Sequence, residues 1–358
     1  MTKRLLSIVL FSVVVLGGCE EKLDLATLPE AVEESLDTVY LPLYPFYPGY
    51  TGAQDIMIGN DQLLYVADTR ANRLVMLNRA GQFMSAREML HPVSVAQDTK
   101  LDLLVGGEIV AANGDTVGAL FRLRLVSSSP DSAHRLDVAP IDTVWTENAR
   151  PRRRFPGITV FGDNTYLVAR TGPDNSSFID PDGRVLLFDR TDFFITPVPG
   201  LTTRVGTGIT DINKPTGIAS FPGVKDFVLT QSSEGVAYGA IWMRYEKTVD
   251  FDGWLPRFDP ADPNERFVDF IRPNRFVLAT SVTIDRSRRD VFIADAELDS
   301  ISKFNSRGRF KSESFGFHRS GGIMKRPTGL AHFEKVLYVL DAEVGQIMRF
   351  RLSTDVPR

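Results

Sequence analysis

Residues 64–83 read LYVADTRANRLVMLNRAGQF and residues 291–310 read VFIADAELDSISKFNSRGRF; the two align without a gap. A third copy, LYVLDAEVGQIMRFRL, spans residues 337–352. A phrase repeated at both ends of a chain sets its architecture before any local motif does. Each copy alternates with period two, is rich in Val, Ile, Tyr and Phe, and is broken by Gly, Asn and Asp. That pattern predicts strand, turn, strand. No long amphipathic helical pattern competes with it beyond residue 35.

A short lead-in precedes each copy. It reads RPTGLA at 326–331, with weaker versions HPVSVA at 91–96, FPGITV at 155–160 and KPTGIA at 214–219. Two more, ATSVTI at 279–284 and YTGAQD at 50–55, lack the proline. Pro and Gly suit a tight turn into a buried strand. Six lead-ins imply six units. Each is followed by an apolar strand and then a third strand, and a fourth is visible after Gly81 and Gly308. Four short strands repeated radially predict an all-β fold, a six-bladed β-propeller. The sixth unit has only three strands before Leu352, while residues 36–44, LDTVYLPLY, belong to no unit. This N-terminal segment is expected to complete the last blade, closing the ring and covering its sheet edge.

The lead-in followed by Y/F-V/I-x-Asp, with a polar residue five positions on and Gly thirteen on, resembles the NHL family of six-bladed propellers. The resemblance is good in the first, fifth and sixth units and weak in the middle three. Related six-bladed propellers include lactonases, lyases and strictosidine-synthase-like hydrolases. Their catalytic metal ligands do not map onto residues of this chain, and fold alone does not license an activity.

Residues 1–18 read as a secretory signal: Lys3 and Arg4, then an apolar stretch too short to span a bilayer comfortably. Leu16-Gly17-Gly18-Cys19 resembles the bacterial lipobox. The resemblance implies cleavage before Cys19 and lipidation of that residue, the only cysteine in the chain. Several acyl chains would give a stable membrane anchor. Residues 19–35 read as a flexible tether, 36–352 as the propeller and 353–358 as a tail. Glu20 and Glu21 resemble a surface-export signal of some Gram-negative lipoproteins, and also suit a solvated tether. The expected location is the bacterial outer membrane, on its periplasmic or outer side. A lone cysteine excludes internal disulfides and Cys-based zinc sites. Loss of Lys3 and Arg4 would move the formal charge from −4 to −6, which argues against nucleic acid as a partner.

The drifting units are the place to look for function. Asp68, Asp295 and Asp341 share one repeat position, which the middle units fill with Gly107, Arg170 and Thr230. The aspartates could ring a metal, or each could accept backbone hydrogen bonds in its own turn, as Asp favours; the repeat points to the second. The middle lead-ins stand 59 to 65 residues apart, against about 40–50 in ordinary propeller repeats. The excess falls at residues 107–116, 171–183 and 231–239, and at 139–154 and 249–275. In a propeller these two kinds of connection open on one face. Loops there would carry Trp145, Arg150, Arg152, Arg153 and Arg154, then Phe178, Tyr238, Trp254 and Phe258. Trp, Tyr and Arg dominate interface energetics, though the tryptophans could instead plug loops and the arginines form a solvated face.

Chemistry is harder to see. His91, His134, His318 and His332 are scattered, without close metal-ligand spacing. No nucleophile elbow or phosphate loop is present. Asp180-Pro181-Asp182-Gly183 does not complete a calcium loop. No cofactor is implied. The sequence therefore predicts a lipid-anchored recognition module that binds a protein, peptide or glycan through one propeller face. A metal-dependent hydrolase or lyase, or a purely structural envelope spacer, are the alternatives.

Overall fold

The computed structural model describes residues 38–126, 134–203, 206–232, 234–317 and 322–356. Cys19, Glu20, Glu21 and His318 lie outside the described residues. Among the described residues six antiparallel sheets follow one another as propeller blades, and a short parallel pair, Thr202–Thr203 with Asp211–Ile212, lies in the link between blades three and four. Blade one is Asp55–Ile58, Leu64–Asp68, Arg73–Leu77 and Phe83–Glu88. Blade five has three strands, and bridges at Phe310 and Phe315 stand where its fourth strand was expected. No helix among the described residues is long and apolar enough to cross a membrane.

The ring closes through the N-terminal segment. Tyr40–Pro42 pairs antiparallel with Gln346–Leu352, the last strand of blade six, with Tyr40 opposite Leu352. Tyr40 packs edge-on to Phe292 of blade five at 6.0 Å and beside Phe315 at 5.3 Å. Residues 36 and 37 of the expected closing strand lie outside the described residues.

The second strand of each blade is buried on both faces, which is why it reads as a nearly continuous apolar run. In Leu64–Asp68 all five residues are buried. Alternate residues point to opposite neighbours: Val66 packs with Tyr338 and Leu340 of blade six, while Tyr65 packs with Val105 and Phe121 of blade two. Six apolar clusters form in this way, each wedged between adjacent blades.

The lead-in phrase is a junction between blades. Thr216 Oγ1 donates to Ala279 O at 2.6 Å, Thr280 Oγ1 to Pro327 O at 2.7 Å, and Thr328 Oγ1 to Ala53 O at 3.1 Å. Thr69 Oγ1 reaches Pro92 O and Ser94 Oγ reaches Phe155 O, both at 2.6 Å. At every junction but one, a hydroxyl of one blade thus holds the same carbonyl of the next. The exception is blade three to blade four, where Pro156 stands in the threonine's place. In blades two to six the next position is Gly or Ser, because neighbouring inner strands come close there. A Cβ on Gly157 would lie 2.8 Å from Ile218 N, and one on Gly329 3.0 Å from Ile56 N.

Strand pairing corrects two sequence expectations. Gln231, not Thr230, fills the aspartate position in blade four: Pro215 pairs with Gln231 as Pro327 pairs with Asp341. The strand runs to Gln231, whose side-chain amide stands in for the carboxylate of blades five and six. Much of the presumed loop excess is also strand. Residues 107–110 extend Leu103–Val110, Ile141–Thr146 is the outer strand of blade two, and Asp252–Pro256 that of blade four.

Candidate functional site

The inner strands enclose a central channel of about 1110 Å³, lined by Gly, Ser and Thr of the lead-ins and by backbone. At one register position of the inner strands five blades place Ser94, Gly157, Gly217, Ser281 and Gly329, and the sixth places Asp55. Asp55 Oδ2 accepts the Val95 amide of blade two at 2.9 Å, and Oδ1 accepts Ile56 N at 2.9 Å. Ser281 makes the same kind of bond to Leu330 N at 3.1 Å. Burial pushes the Asp55 carboxyl up to about 7, against the two amides that favour its charge. The side chain is only partly covered by area. That is consistent with a group in an open channel, cut off from bulk solvent yet facing empty space.

The aspartates of the repeat do not face one another as metal ligands. Asp295 accepts the amides of Val277, Leu278, Glu297 and Leu298, and Asp341 those of Lys325, Arg326, Glu343 and Val344. Gln231 Oε1 accepts Asn213 N at 2.7 Å, the equivalent amide two residues before the lead-in proline. Asp68 is buried against Arg73 Nε at 2.8 Å. Among the described residues no three His, Cys, Asp or Glu side chains gather as a cation site.

The expected contact residues divide sharply. Trp145 and Trp254 sit in outer strands of their blades, not in loops. Trp254 is buried, donates Nε1–H to Lys225 O at 2.7 Å and packs on Phe161, Phe227 and Tyr245. Trp145 is half-buried against Phe188 and Phe194. Phe258 and Tyr238 are buried in the cluster between blades four and five. These four rings fill the scaffold. Phe178, in contrast, is 98% exposed, and its neighbour Ile179 is 84% exposed.

The arginine run also divides. Arg153 points inward, 2.7 Å from Asp182, 3.0 Å from Glu147 and 2.8 Å from Asp180. Arg170, one of the eroded aspartate positions, joins it at 3.0 Å from Glu147 and 2.6 Å from Asp180. Burial works against the Arg153 charge, but hydrogen bonds to Asp182, Asp180 and Glu147 outweigh it and hold the guanidinium above its usual value. This network bolts residues 147–153, which link blades two and three, to residues 172–183 of blade three. It also accounts for Asp180 and Asp182, whose carboxylates bind arginine where a cation was considered. Arg150 pairs with Asp174 at 3.0 Å on the surface. Arg154 is held by Glu108, which also meets His91 Nδ1 at 2.6 Å. Arg152 is exposed and has no ion-pair partner among the described residues. Arg152, Arg154 and Lys214 line a side cleft with Thr171, Gly172 and Pro173. Thr171 and Lys214 line the channel as well.

Sequence reasoning missed Asp55, Glu147, Glu108 and Lys214. Asp55 could have been found by sliding the YTGAQD alignment two residues, which places it on the position that the other five blades fill with Gly or Ser. The others carry no local signal, since each gains its role from a neighbouring connection.

No protein-family model matches the chain, and no curated protein does. Similarity appears among solved structures. A PQQ-bound aldose sugar dehydrogenase from Streptomyces coelicolor superimposes with a TM-score of 0.58 at 11% identity, covering 88% of this chain and 98% of that one. A luciferin-regenerating enzyme gives 0.58 at 12%, covering 87% and 95%. A gluconolactonase from Xanthomonas campestris gives 0.52 at 12%, covering 88% and 90%. At such identities these likenesses speak to the six-bladed propeller alone.

Proposed function

We propose that this chain is a lipid-anchored recognition module of a bacterial envelope. It binds a protein, peptide or glycan partner on the face where the lead-ins begin. The observation that carries this reading is the state of residues 172–183. They are clamped by buried ion pairs, yet they hold Phe178 and Ile179 almost wholly in water. Two adjacent large apolar side chains exposed on a fixed loop have the composition of a contact surface. The test is co-purification from detergent-solubilised membranes. The double variant Phe178→Ser, Ile179→Ser should lose the partner while its melting temperature stays within a few degrees. Retention of the partner would refute the face assignment. Lipidation is tested separately, by the mass of the mature N-terminus and by release of a Cys19→Ala variant into the soluble fraction.

A second reading has one observation in its favour. Asp55 lines the central channel with a carboxyl that burial pushes up to about 7, which suits a general base. Hydrolysis of an ester or lactone panel, abolished by Asp55→Asn in a protein that still folds, would establish an enzyme. Metal analysis of the purified protein tests the metal-dependent form of that reading.

A further inference from the structure

We propose that the cleft flanked by Arg152, Arg154 and Lys214 binds an oxyanion, the acidic group of a ligand whose body lies in the central channel. This deepens the recognition reading, and rests on it for placing the ligand on this face. Three cations from three connections meet at one concavity. Arg152 comes from the link between blades two and three, Arg154 from the first strand of blade three, and Lys214 from the lead-in of blade four. Among the described residues no acid lines the cleft. Glu108, buried, holds Arg154 from the blade-two side, and Glu234, mostly exposed, holds Lys214. Arg152 is left with its whole charge.

The cleft is built in advance. Arg153, between the two outward arginines, is fixed by Asp182, Glu147 and Asp180, so residues 152 and 154 flank an immobile residue. Lys214 is held with φ at 51°, a left-handed backbone that a lysine adopts only under constraint. Thr171 and Lys214 line both cleft and channel, so the two adjoin. The channel wall includes Thr216, Thr280, Thr159 and Ser220, whose hydroxyls are bonded within the scaffold and leave a polar, uncharged lining there. The channel lining carries two carboxylates, Asp55 and Glu343, along with Arg70, Arg286 and Arg326. An acidic group is therefore better placed in the side cleft than in the channel, and a polar, uncharged body suits the channel. Guanidinium groups bind oxyanions through paired hydrogen bonds, and Arg152 brings such a group to the cleft.

The experiment is calorimetric titration of the full-length protein at low ionic strength with triglutamate, triglutamine and inorganic phosphate. Triglutamate should bind at least about tenfold more tightly than triglutamine, and salt should weaken it. Arg152→Gln, a change at an exposed and unpaired side chain, should cost about tenfold, and Lys214→Gln a similar factor, with melting temperature as the control for folding. Phosphate that displaces triglutamate assigns a bare oxyanion. Phosphate that does not, while triglutamate binds, assigns an acid group carried on a larger ligand. Equal binding of triglutamine, no binding of either anion, or an unchanged affinity in Arg152→Gln overturns the proposal. Partner capture that depends on Phe178 and Ile179 but not on Arg152 would leave the recognition reading standing without the anion site.

Discussion

Arg153 Nε lies 2.7 Å from Asp182 Oδ1, and both side chains are buried. That pair sits in a network of two arginines and three acids that joins two connections on one face. Removing one partner of a buried pair leaves charge without compensation, at a cost of about 3–5 kcal/mol. Arg153→Met should therefore lower the urea midpoint steeply. Arg150→Met, which breaks a surface pair with Asp174, should cost less than about 1 kcal/mol. Equal effects would mean that the network does not hold the loops. The network also carries a pH signature. Burial raises the Asp180 carboxyl, but hydrogen bonds from Arg170 and Arg153 outweigh it, and the group ends below its usual value. Its contribution is full above the ordinary carboxylate range and fades as pH falls through the depressed value.

Gln231 performs two jobs where aspartate performs one. Its Oε1 accepts Asn213 N, and its Nε2 donates to Asp211 O at 2.9 Å and Tyr238 O at 2.8 Å. Gln231→Ala orphans three buried backbone groups and should cost about 2–4 kcal/mol. Gln231→Asp restores the repeat residue but supplies no donor, so it should not rescue. Thermal unfolding that found Gln231→Asp as stable as the parent would show that the two carbonyls do not depend on this side chain.

Closure of the ring is testable by truncation. A chain beginning at Tyr50 lacks the strand Tyr40–Pro42 and exposes the edge of Gln346–Leu352. It also removes Tyr40 from its seat against Phe292 and Phe315. Loss of an aromatic of this kind alone is worth about 3 kcal/mol. The truncated chain should melt well below one beginning at Thr38, and should self-associate through the open edge. Equal melting points would make the N-terminal strand an ornament.

The architecture was legible because a propeller repeats its buried second strand, and burial on both faces writes a continuous apolar run at each copy. The missing strand at the end and the spare segment at the start belonged together for the same reason. The site was less legible because tryptophan and arginine read alike inside and outside. Trp254 and Arg153 looked like contact residues and are core and clamp. What separates Arg153 from Arg152 is Asp182, 29 residues away, and no local pattern announces that pairing. The eroded aspartate positions did hold information of a different kind: Arg170 marks the network, and Gln231 conserves the bond while changing the residue.

Asp55 makes the sharpest prediction about pH. Burial raises its carboxyl from 3.8 to about 7, opposed by the amides of Val95 and Ile56. An acid whose folded value lies above its unfolded one binds its proton more tightly in the native state. Stability should therefore fall as pH rises from about 4 to about 7 and level off above that. Blades two and five place serine at this position, and Ser281 still holds the amide of the next blade. Asp55→Ser should accordingly keep the interblade bond and lose the charge. At pH 8 it should be more stable than the parent by about 1–3 kcal/mol, and at pH 4 the two should be nearly equal. Denaturant midpoints at the two pH values decide the matter. A variant that is less stable than the parent at pH 8 would mean that the ionised carboxylate is the better clamp, and that blade one carries it for strength and not for chemistry.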